Sequence, residues 1–126
     1  MILESLAFVA PALVPLGLLG RLARPADEDW YVQEPAMKSV TRLMSRRPQA
    51  RTILDNLARS AEPTDRFAVC SALLELARSK PVAVPSDLVR ALVADSDPLV
   101  AEKSREVLEV LESLPSDSYD RWQFGL

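Results

Sequence analysis

The chain has no histidine and, in 126 residues, a single cysteine, Cys70. Without histidine, the commonest general base and the commonest metal ligand are missing. An enzyme built on this chain would have to work with carboxylates, lysine or tyrosine alone. The sequence therefore predicts a protein that is not an enzyme, with no cofactor and no metal. A lone cysteine excludes an internal disulfide and any multi-cysteine metal site, and it fits a reducing, cytoplasmic compartment. An excess of positive charge is missing as well. The net charge is −3 and the pI near 5.0, so the basic footprint of a nucleic-acid binder is absent. Acid gathers toward the C-terminal half: residues 1–63 carry 8 basic and 7 acidic side chains, and residues 64–126 carry 7 and 11.

What is present in quantity is apolar side chain. At 48% hydrophobic and 26% charged, the composition is that of a globular chain able to bury a core, at a length that fits one domain. One motif recurs: LLGRLARPAD from Leu18, ILDNLARSAE from Ile53 and LVRALVADSD from Leu88, with successive starts 35 residues apart. A fixed period of this size is the mark of a repeat architecture. In its columns Leu18, Ile53 and Leu88 align, then Leu19, Leu54 and Val89, then Leu22, Leu57 and Leu92, then Ala23, Ala58 and Val93. Apolar residues at i, i+1, i+4 and i+5 form one stripe of an amphipathic helix.

Between these helices the sequence predicts others. SLAFVAPALVPLGLLG, near the N-terminus, has the look of a membrane segment, but no positive charge precedes it, it is short for a span, and Pro11 and Pro15 interrupt it. PALVP from Pro11 matches PVAVP from Pro81, two periods on. The run is thus expected to be a short helix, a proline-bounded elbow and a second helix over residues 15–24, with membrane association as the alternative. RPADEDWYVQ reads as a polar loop. Its Asp27, Glu28 and Asp29 favour a helix N-terminus, and without a turn glycine they do not make a calcium loop.

A helix from Glu34 buries Ala36, Met37, Val40, Leu43 and Met44, and Glu34-Pro35 reads as its start. The next copy of the key helix spans residues 49–60. Glu62-Pro63 and Asp97-Pro98 open the following two units, with proline where its missing N–H costs nothing. The helix over residues 65–79 is apolar on most sides, with Phe67, Val69, Cys70, Leu73 and Leu76, so Cys70 is expected in the core. The helix over residues 98–114 has one stripe of Val100, Ser104, Val107, Leu111 and Leu114. Its other face is Glu102, Lys103, Glu106, Glu109 and Glu112, the polar outside of a terminal cap. Beyond Pro115 the pattern stops. The tail carries Tyr119, Trp122, Phe124 and Leu126, either packed back on the last helix or offered as a short ligand.

Paired helices at this period, with DPLVAEKSREVLEVLESL in the last unit, resemble HEAT-like repeats, including the phycobilisome-lyase type of small bacterial proteins. Asp97, Val100, Ser104, Val107 and Leu111 fall on that family's acidic, apolar and small positions. Ala101 departs from it, standing where an arginine is usual. The third elbow departs as well, being long. Tetratricopeptide repeats share the period but want Trp, Gly, Tyr and Pro positions that are missing here. The resemblance covers residues 1–114, leaving residues 115–126 as a tail. It implies an all-α fold, a short right-handed α-solenoid of about three antiparallel helix pairs. The second helices would then line a concave face, the expected binding surface for a protein partner.

Opposite the apolar stripe those helices carry Gly17, Gly20, Arg21 and Arg24, then Thr52, Asp55, Asn56 and Arg59, then Asp87, Arg90, Ala91 and Ala94. With no aromatic anchor among them, a polar, charge-matched contact is expected. Arg24, Asp55, Asn56, Arg59, Asp87 and Arg90 are the candidate partner-binding residues. A binding module follows, with an inhibitor or immunity-type protein as its more specific form. Lys38, Arg42, Arg46, Arg47 and Arg51 make a basic patch at one elbow, read as a solvated face and not as a nucleic-acid or lipid site.

Overall fold

In the computed structural model, the residues described are 16–23, 30–44 and 46–115. Among them the chain is all-α, with no strand. Six helices follow in order: α1 (Leu16–Leu22), α2 (Trp30–Leu43), α3 (Pro48–Ala58), α4 (Pro63–Ser79), α5 (Ser86–Val93) and α6 (Pro98–Glu112), with a 3-10 turn at Pro81–Ala83 before α5. No described helix is long and apolar enough to cross a membrane. The N-terminal apolar run up to Pro15, the Asp27–Asp29 acids and the aromatic tail lie outside the described residues. The chain forms two compact units, one up to Val69 and the other from Cys70.

In the first unit α1 packs on both α2 and α3, and α2 packs on α3. The repeated stripe supplies the inward faces: Ala50, Leu54, Leu57 and Ala58 are buried on α3, and Ala23 just past α1. Each fully buried leucine of this kind contributes roughly 1.5–3 kcal/mol. Gly20 faces α3, and a Cβ there would make an ordinary contact with the side chain of Ile53 at 3.7 Å.

Helix α2 corrects the sequence expectation. It begins at Trp30, so Trp30–Gln33 are helical and not loop, and Pro35 stands inside it. Pro35 stands in the second turn, where it forfeits the bond to the carbonyl four residues back and its ring crowds that carbonyl. One turn on, Ser39 Oγ donates to the Pro35 carbonyl at 3.0 Å. Ala36, Met37, Val40 and Leu43 are buried as expected, whereas Met44, past the helix end, is half-buried.

Helix α4 buries Val69, Cys70, Leu73, Leu74, Leu76 and Ala77. Phe67 does not join them and is 38% exposed. It stands on the same side of the helix as Cys70 and Leu74, three and seven residues on, but nearer the start of the helix.

In the second unit α5 packs on α6, with Leu88, Val89 and Leu92 buried from one side and Val100, Ala101, Ser104, Val107 and Leu111 from the other. Leu114, placed on that stripe by the sequence, lies beyond the helix and is half-buried.

The turns that launch α4 and α6 are built alike. Ser60 Oγ accepts from the Glu62 amide at 3.1 Å, and Asp95 Oδ1, 35 residues on, accepts from the Asp97 amide at 2.9 Å. Immediately before, the Ser60 amide donates to the Leu57 carbonyl and the Asp95 amide to the Leu92 carbonyl. Side-chain oxygens that bond an amide two residues ahead stabilise a turn. Asp97 then caps α6, its Oδ1 accepting from Leu99 at 2.9 Å and Val100 at 3.2 Å.

Candidate interaction surface

On α3 the stripe residues Leu54 and Leu57 point inward, which turns Thr52, Asn56 and Arg59 to solvent. On α5 the same phase exposes Asp87, Arg90, Ala91 and Ala94. These positions are polar or small, and no aromatic side chain stands among them. Arg59 is the C-terminal cap residue of α3, and Arg90 lies in the last turn of α5. A cation there is favoured by the helix dipole. Asp87 occupies the first turn of α5, where a carboxylate is favoured for the same reason.

Asp55 differs from its neighbours. It is half-buried and held by Arg51, whose Nε donates to Oδ1 at 2.8 Å one turn back along α3. Any partner approaching Asp55 meets an ion pair. Arg24 lies outside the described residues.

The basic elbow is partly neutralised within its own helices. Lys38 pairs with Glu34 at 3.8 Å and Arg51 with Asp55, while Arg42 and Arg46 are exposed. Exposed pairs of this kind contribute a few tenths of a kcal/mol, about 0.3–0.5.

One buried carboxylate was not foreseen as such. The Asp65 carboxylate is fully buried at the start of α4, its Oδ2 accepting from Ser60 Oγ at 2.7 Å. Arg66 Nη1 closes the same turn onto the Ser60 carbonyl at 2.8 Å. The signal in the sequence was positional, because Asp65 stands one helical turn before Val69 on the inward stripe. Ser104 is buried on α6 as its place on the stripe predicts, beside Cys70 and donating to the Val100 carbonyl at 2.8 Å. Burial pushes the Cys70 thiol up to about 11, against a smaller opposing effect of its hydrogen bond to Ser104. A thiol held protonated and out of solvent is a packing residue, not a nucleophile.

Among the described residues no cluster of three histidine, cysteine or acidic side chains is placed to hold a metal ion. No protein-family model matches the chain, and neither a curated protein nor a solved structure matches it.

Proposed function

We propose that the chain is a non-catalytic module built from HEAT-like helical repeats, a short α-solenoid that binds a protein partner in the bacterial cytoplasm through the solvent faces of its second helices. The observation that carries this reading is the pair of faces on α3 and α5. Both are exposed and polar, and both follow from the same sequence column at a 35-residue offset. Helices that repeat their inward residues while varying their outward ones, Thr52, Asn56 and Arg59 against Asp87, Arg90 and Ala91, each offer a recognition face built on the same inward pattern.

The partner that fits is polar and rich in carboxylates near its contact, which the guanidinium groups of Arg59 and Arg90 would fork. An inhibitor or immunity-type role is the form that suits a compact charged binder.

Site-specific photo-crosslinking tests the reading. A crosslinker at Asn56 or Asp87 should capture one stoichiometric protein that a crosslinker at Glu102 on α6 does not, and Arg59→Glu or Arg90→Glu should each weaken that capture at least tenfold. Equal capture from all three positions, or indifference to both charge reversals, would refute it.

A further inference from the structure

At an offset of 35 residues, α4 and α6 correspond: Pro63 with Pro98 and Val69 with Ser104, the last two both buried. Three positions break the correspondence in one sense. Cys70, Leu74 and Ala77 are 0%, 5% and 1% exposed on α4. Their counterparts Arg105, Glu109 and Glu112 are all exposed on α6.

A contact identifies the side of the helix concerned. Cys70 Sγ lies 3.7 Å from the Val100 carbonyl and 3.8 Å from Ser104 Oγ. It therefore stands on the side by which α4 receives α6. Arg105 occupies the same register on α6, so α6 carries charge on the side by which a further helix would be received.

We infer that Arg105, Glu109 and Glu112 close this face of α6 against a second copy of the chain. The inference deepens the repeat reading and rests on its register. Stacking another helix here would take a guanidinium and two carboxylates out of water. Each such group loses solvation that an apolar neighbour cannot return. The charged face of α6 thereby keeps the module single.

The test uses the purified full chain alone, so its result does not depend on finding a partner. Arg105→Ala, Glu109→Leu and Glu112→Ala together restore the character that these positions have on α4. By analytical ultracentrifugation the wild type should keep the mass of one chain as concentration rises. The triple variant, with an unchanged far-UV circular dichroism spectrum, should reach at least twice that mass. Asn56→Leu adds an equal leucine to an exposed site on α3 and should stay single. If the triple variant precipitates, Glu109→Leu alone must associate more strongly than Asn56→Leu. A triple variant that stays single, Glu109→Leu no stickier than Asn56→Leu, or a wild-type dimer cross-linked at Glu109 would each overturn the inference.

Discussion

Cys70 on α4 and Ser104 on α6 meet side chain to side chain, Sγ to Oγ 3.8 Å apart, and both are almost completely buried. Ser104 Oγ spends its own proton on the Val100 carbonyl, so the pair fills the interface without leaving a polar atom stranded. Burial is also what pushes the thiol upward, from 9.0 to about 11.

Alkaline stability should follow from that shift. The raised thiol favours the folded state fully below pH 9, where both states are protonated. As pH climbs from 9 toward 11, the unfolded chain gains by ionising first, and the contribution is lost, on the order of 2–3 kcal/mol. Urea unfolding at pH 8 and pH 10.5 should show a larger loss for the wild type than for Cys70→Ala. Parallel losses would mean that the thiol is not what titrates. At pH 8 the native thiol should also resist aromatic disulfide reagents until the chain is unfolded.

Leu57→Ala should cost about 2–5 kcal/mol, because it opens a cavity under a side chain that is only 5% exposed. Asn56→Ala, one residue away and exposed, should change stability by less than about 0.5 kcal/mol. Denaturant midpoints of the two variants check the helical phase directly, since comparable losses would place both side chains inward.

Gly20→Ala should stabilise the chain. The added methyl would sit 3.7 Å from Ile53, an ordinary contact, while alanine is better than glycine inside a helix by roughly 0.8–1.0 kcal/mol. A higher melting temperature is the expected readout, and a lower one would show that α1 and α3 need to approach more closely than the alanine allows.

Asp97→Ala removes both bonds that cap α6 and should cost about 1 kcal/mol. Asp97→Ser should recover most of it, because the requirement is for an oxygen at that reach and not for charge. The comparison separates capping from any long-range effect of the acidic C-terminal half.

Much of this was legible because the repeat is a physical pattern before it is a family mark. The columns through Leu54 and Val89, and through Leu57 and Leu92, gave the inward phase of α3 and α5 and with it the exposure of Thr52, Asn56, Arg59, Asp87, Arg90 and Ala91, but not the half-burial of Asp55. Where the sequence misled, a local signal had been allowed to override the period. Glu34-Pro35 looks like the opening of α6, yet counting 35 back from Pro63 points to residue 28, close to the observed start at Trp30. Phe67 shares a side of α4 with the buried Cys70 and Leu74, three and seven residues on, yet is 38% exposed, so its angle around the helix does not reveal its exposure. The burial of Asp65 depends on Ser60 in the preceding turn, a partnership that periodicity does not encode. The Arg51–Asp55 pair was readable from its spacing of four. The identity of the partner is not, because a polar outward face constrains charge and size but no single ligand.

The two sorts of joint between helices imply different tolerance for added sequence. Around Ser60 one hydroxyl and one carbonyl serve Glu62, Asp65 and Arg66 together, and one of those is a fully buried carboxylate. A glycine-serine insertion after Ala61 would prise that carboxylate from its donor and should lower the melting temperature well below that of the same insertion after Val82. The latter site is exposed and loses two backbone bonds of a short 3-10 turn. Surface loops without buried polar anchors accept extra length cheaply. The elbow at Pro81–Ala83 is therefore where this chain has room to be elaborated, by engineering or by descent, while the turn at Ser60 has almost none.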